Sequence, residues 1–301
     1  MNGPVAALSK DGKRLHLQHG PIDLIIEAEG EANAVAGAYD RAWIRFQTVL
    51  EDLVAELPTL RRPLGATPRE LNGSVAQRMR DAVSRFPGVF VTPMAAVAGA
   101  VADEICEAIG AFEHATEISR AFVNNGGDIA LLLAPGTSYD VGLVPVPNRP
   151  AIIGKTTIRA EDHVRGIATS GRHGRSHSLG VADAVTVLAH QAATADVAAT
   201  LIANAVDLPG HPAVERVAAV HLDPDTDLGR QLVTTAMGSL TERDVVTALA
   251  AGALSANAMM ESGSIIAAVL CLDDKVVSVG SPAGPVARLA ADDRPGPSDQ
   301  A

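Results

Sequence analysis

Val123-Asn124-Asn125-Gly126-Gly127-Asp128-Ile129 reads as a strand that runs into two glycines and leaves as a second strand. Paired glycines reach positive φ without a Cβ penalty and leave their backbone N–H groups open to a ligand. Two arms joined this way form an antiparallel hairpin, and the chain keeps that texture from Arg120 onward. Strands are expected at Ala121–Asn124, Ile129–Ala134, Tyr139–Val144, Ile152–Ile158, Gly166–Ala168, Ala184–Ala189 and Val214–Leu222, with a last hairpin over Ile265–Val279. N-terminal to the glycines the pattern is mostly helical. A short strand, Ile22–Glu27, precedes an amphipathic helix over about Glu31–Glu56, a Pro- and Arg-rich linker at Leu57–Thr67 and a helix over about Gly73–Arg85. Phe90–Pro93 looks like a strand end stopped by proline. Met94–Ile109 is apolar nearly all round, as a buried helix is; a dimer face is the other reading. Further helices are expected from Ala192 to before Pro209, and at Glu242–Met260. Helices and antiparallel strands in blocks make an α+β fold. A single domain is expected over residues 1–283, with a disordered Pro-, Asp- and Ala-rich tail at 284–301.

Composition narrows the function. The net charge of −11 argues against a nucleic-acid partner, and aromatics at 3% leave few rings for stacking on bases. No apolar run reaches the roughly 18 residues of a membrane helix. Residues 1–18 alternate polar and apolar without a signal-peptide core, so a cytoplasmic protein is expected. Cys106 and Cys271 sit far apart in apolar runs and are read as buried, reduced thiols. Oligomeric state is left open, a homo-oligomer included.

Two motifs imitate chemistry. Gly154-Lys155-Thr156 follows a strand, but a phosphate loop needs a glycine where Arg149 stands. Asp223, Asp225 and Asp227 have the spacing of a calcium loop, yet Leu228 occupies the sharp-turn position and Thr234 the closing acid position. A turn with Asp227 capping a following helix is the plainer reading.

Four segments carry more. In Val97–Asp103, small residues admit close backbone approach and Asp103 supplies an acceptor for ribose or adenine. The hairpin follows with Gly126 and Gly127. Gly166–His177 then gathers Thr169, Ser170, Arg172, His173, Arg175 and His177, and Lys155–His177 holds five Lys/Arg against two acids. Such a stretch suits a diphosphate. Finally, Asp196 and Thr200 lie four apart on one helix face and offer hard oxygen ligands to Mg²⁺. Each segment also has a plain reading: a buried helix, an ordinary turn, a solvated basic loop, a helix start.

Taken in order, the four segments resemble the ApbE superfamily of FAD:protein FMN transferases. That family shows a small-residue helix ending in Asp, a Val-Asn-x-Gly-Gly-Asp-Ile hairpin, an Ile-Ala-Thr-Ser-Gly strand end and an Ala-Asp-x-x-x-Thr helix. Here these are Val97–Asp103, Val123–Ile129, Ile167–Gly171 and Ala195–Thr200. The resemblance implies a T-fold-related α+β architecture with helices layered on a mixed or antiparallel sheet. It implies FAD and Mg²⁺, with Asp196, Thr200 and the Val97 carbonyl on the metal. Asp103 would contact the flavin nucleotide, with Thr169 and Ser170 near the flavin. Arg172 and Arg175 would stand in for the family lysine, whose position holds Ala98, and His177 for its histidine. The family's His-Ile-Ile-Asp-Pro segment is contracted to Ser176-His177-Ser178-Leu179-Gly180, without the aspartate. The implied activity is FMN transfer to a Ser or Thr hydroxyl of an acceptor protein, or cleavage of the FAD diphosphate. The alternatives are a non-catalytic flavin-binding or delivery module, and an enzyme acting on a pterin- or purine-like ligand.

Overall fold

The computed structural model describes residues 3–65, 70–143, 154–174, 176–280 and 287–288. A nine-stranded antiparallel sheet forms its centre. Its spatial order is β1 (Val5–Leu8), β2 (Arg14–His19), β3 (Ile22–Gly30), β4 (Ile118–Asn125), β5 (Asp128–Leu133), β8 (Gly166–Ser170), β9 (Ala184–Ala189), β12 (Ala267–Leu272) and β13 (Lys275–Gly280). On one face lie α1 (Ala32–Leu60), α3 (Val97–Gly110), α4 (Ala192–Ala205) and α5 (Glu242–Glu261), with α2 (Ser74–Val83) packed on α1, α3 and α4. The opposite face carries a small sheet of β6 (Ser138–Leu143), β7 (Gly154–Arg159) and β14 (Ala287–Arg288). A separate ribbon pairs β10 (Val214–Ala218) with β11 (Leu232–Met237). The fold is α+β.

Alternation along each strand divides the core in two. Ala130, Ala168, Val185 and Val187 face the helices. Leu131, Ile167 and Leu188, one residue out of step, meet Ile158, Tyr139 and Val141 of the small sheet. Helix α3 runs through the middle of the helical layer, and Ala100, Val101, Ala102, Ile105 and Ile109 are fully buried. Its apolar circumference is therefore spent inside this chain.

Several elements differ from the sequence reading. Helix α1 continues through Pro58 to Leu60; a proline in a last turn removes one hydrogen bond, and Arg61 N–H still reaches the Leu57 carbonyl. No strand forms at residues 90–93; Pro93 instead opens a 3-10 turn, Pro93–Ala96. Strands β1, β2 and β11 were not foreseen. The expected strand over Val214–Leu222 ends at Ala218 and turns through Ala219–His221. No helix follows Asp227, which accepts a hydrogen bond from the Thr92 hydroxyl. Lys155 and Thr156 lie within β7, not in a loop opening a helix. Both cysteines are buried, and burial pushes the Cys106 thiol up to about 12. Of the 284–301 tail, only Ala287–Arg288 is described, paired with β7. No helix among the described residues is long and apolar enough to cross a membrane.

Candidate active site

Three turns share one end of the sheet: the Gly126–Gly127 turn, the loop from Gly171 to Asp183, and the β12–β13 turn at Asp273–Asp274. Asn125 pairs with Asp128 across the first of these, and both glycines have positive φ, 66° and 115°. A two-residue hairpin turn of this kind requires that. The Asn124 side chain locks it by accepting the Gly127 N–H at 2.8 Å. A Cβ added at Gly127 would meet nothing within 4 Å, so the turn faces open space.

Behind this end, α3 and α4 cap each other. Neither helix has a side-chain cap of its own. The Asp103 carboxylate of α3 accepts the N–H groups of Ala192 and Ala193 at 2.9 Å each, in the first turn of α4. The Asp196 carboxylate of α4 accepts the Gly99 N–H at 3.0 Å, and the Ala98 N–H also points to it. Those two donors belong to the first turn of α3. Gly99 permits the approach: a Cβ there would press into the Ala192 carbonyl and lie 2.7 Å from Ala193 N. Asn125 ties the hairpin to the same place by donating to the Ala98 carbonyl at 3.1 Å.

Asp128, which the sequence reading quoted in its motif but did not single out, belongs to this cluster. One of its oxygens accepts the Thr169 N–H at 3.3 Å. Burial pushes its carboxyl up to about 7. Asp196 is raised well above the usual carboxylate range, first by burial and then by the Asp128 charge. Among the described residues neither acid makes an ion pair. Thr200 lies one turn beyond Asp196, half-buried, and its hydroxyl has no hydrogen bond among the described residues. Val97 begins α3 beside them. Two carboxylates and a hydroxyl are hard oxygens of the kind Mg²⁺ takes. No group of three or more His, Cys, Asp or Glu side chains able to hold a metal occurs among the described residues.

The remaining candidates divide. Ser170 follows Ala168 by two and shares the helix-facing side; Thr169 points to the other face, where its hydroxyl meets that of Thr186 at 2.9 Å. Arg172 is bound to Asp183 through Nε at 2.9 Å and Nη2 at 2.6 Å. His177 is exposed and has no partner among the described residues. Arg175 lies outside the described residues. Asp103, held up at about 6 by burial against the opposing pull of its two backbone donors, also lines a cleft of about 510 Å³ with Arg78, Cys106, Arg165 and Gln191.

A family model described as "AbpE bacteria" matches residues 6–279. A UPF0280 protein of Methanococcoides burtonii is 36% identical over 149 residues, 49% of this chain and 60% of that one. A UPF0280 protein of Methanoregula boonei is 33% identical over 193 residues, 63% of this chain and 77% of that one. The match with UPF0280 protein MK0206 of Methanopyrus kandleri, 38% identical, spans 45% of this chain and about half, 52%, of that relative. Among solved structures, the flavin transferase ApbE from Vibrio cholerae is 13% identical, covering 92% of this chain and 98% of that chain at a TM-score of 0.49. Apo flavinyl transferase ApbE from Pseudomonas stutzeri is 9% identical, covering 92% and 93%, at a TM-score of 0.45.

Proposed function

The chain belongs to the bacterial AbpE family, within the ApbE superfamily, and from that premise we propose that it binds FAD beside Mg²⁺ at this end of the sheet and breaks the FAD diphosphate, passing FMN to a Ser or Thr hydroxyl of an acceptor protein or to water. One observation carries the reading: two half-buried carboxylates, Asp128 and Asp196, meet here, the Asp128 charge raising the proton affinity of Asp196, and among the described residues no cationic side chain pairs with either. A divalent cation relieves such a pair.

In this reading Asp196, Thr200 and the Val97 carbonyl hold the ion, with Asp128 as a fourth oxygen. Mg²⁺ when bound neutralises charge on the diphosphate and on the departing AMP. The Gly126 N–H receives a phosphate oxygen, while the Gly127 N–H stays with the Asn124 side chain. Ser170, on the helix-facing side, lies nearer the diphosphate than Thr169. Arg172 borders the same loop. Asp103, both oxygens already engaged, meets the nucleotide with its remaining lone pairs from the cleft it lines. A histidine of the loop takes the hydroxyl proton.

Titration calorimetry with MgCl₂ and FAD tests the site. Asp196→Ala is expected to weaken Mg²⁺-dependent FAD binding at least about tenfold, and chromatography of wild-type reactions should show AMP. If FAD fails to bind with Mg²⁺ present, the assignment is wrong. A second reading, flavin binding without chemistry, draws on two observations: Ala98 where the family has lysine, and an Arg172 charge already matched by Asp183. It predicts FAD recovered intact.

A further inference from the structure

Resting on the transfer reading, we propose that His173, oriented by Asp183, is the group that takes the proton from the attacking hydroxyl, in place of His177. A proton acceptor on a loop needs a partner that fixes both its ring and its tautomer. His173 has one: its Nε2 lies 3.2 Å from Asp183 Oδ1. A carboxylate accepts, so Nε2 carries the hydrogen and Nδ1 is left with its lone pair. His177 has no such partner among the described residues.

Asp183 is itself held from three sides. Arg172 grips Oδ1 through Nε and Nη2. The Asp273 N–H in the β12–β13 turn donates to Oδ2 at 2.7 Å. Its own N–H donates to the Cys271 carbonyl at 2.9 Å. Its side chain is only 12% exposed, whereas that of His173 is 32% exposed. The anchor is inside and the ring outside, which is the arrangement an acid–base residue needs.

The backbone brings the ring to the same end of the sheet as the proposed site. His173 comes three residues after Ser170, at the end of the sheet where the glycine turn lies. Gly171 starts the loop against β9, since a Cβ there would press on the Asp183 carbonyl. Arg172 N–H then donates to the Ala182 carbonyl at 2.9 Å, and Gly174 N–H to the Gly171 carbonyl at 3.0 Å. His173 thus sits in a closed turn.

The step balances simply. The hydroxyl oxygen, or water, bonds to the phosphorus of the FMN half. The bond from that phosphorus to the AMP oxygen breaks, and AMP leaves with the electron pair. The hydroxyl proton passes to His173 Nδ1 and then to solvent.

The test uses the full chain with FAD and MgCl₂. Proton-detected NMR of ¹⁵N-histidine-labelled protein, with His173 assigned from His173→Ala, should show the Nε2–H tautomer, and Asp183→Asn should lose that signature. AMP release should fall on the order of 10²-fold in His173→Ala and stay within about threefold in His177→Ala. Both variants should bind FAD within about threefold of wild type, and added imidazole should restore part of the His173→Ala loss. An Nδ1–H or averaging ring, or active wild type with His177→Ala as the damaged variant, overturns the dyad while leaving the transfer reading standing. Wild type that binds FAD without releasing AMP removes both.

Discussion

At the residue scale, Asp103 links site to stability. Its folded-state value, about 6 against an ordinary 3.8, means that the native state binds its proton more tightly than the unfolded chain does. Stability from this group is fully present below about pH 4 and is lost as pH rises through about 6. The size is on the order of 2–3 kcal/mol. Asp103→Asn lacks this dependence, so the stability of wild type relative to the variant should shrink by roughly that amount between pH 4 and pH 7. Urea unfolding followed by circular dichroism across that range checks it. The residue scale also shows what a sequence conceals. The types at Asp103, Asp196 and Thr200 were legible as oxygen donors, but the partners of each were not. Asp103 and Ala192 are 89 positions apart, and only the docking of two helices puts the carboxylate over those amides. Asp128 was hidden by its neighbours: in a hairpin motif the glycines draw attention, and nothing local shows that the acid faces a second one 68 positions later.

At the element scale, close packing decides. Gly99→Ala places a methyl group on the start of α4, where no flexible side chain can give way. The expected cost is about 1–3 kcal/mol, read as a lower melting temperature, with the Asp196 contact to Gly99 N–H weakened as well. Elements with a strong period or clear punctuation were legible: α4 begins at Ala192 and α5 at Glu242, as expected, and β9 spans Ala184–Ala189. Strand β1 was not, because its four residues are exposed on both faces and leave no buried alternation to read. Pro58 misled because proline usually ends a helix, whereas in a last turn it forfeits little.

At the scale of the whole molecule, one sheet supports two independent coverings. Ile158 of β7 is fully buried between the small sheet and the large one. Ile158→Ala should cost about 2–4 kcal/mol, and hydrogen exchange should speed up in β6 and β7 while α3 and α4 keep their protection. That the fold is α+β was legible from the change of texture at Arg120. That the strands on either side of that point join a single nine-stranded sheet was not, since β3 and β4 pair across nearly ninety intervening positions.

The exchange of caps between α3 and α4 bears on how the chain matures. The contact of Gly99 with Asp196 spans 97 positions, so it requires α3 and α4 to be docked against each other, and closing so long a loop is slow. Until then each carboxylate is a loose side chain on an unanchored helix. On the proposed reading, a chain whose two helices have not docked lacks the nucleotide site.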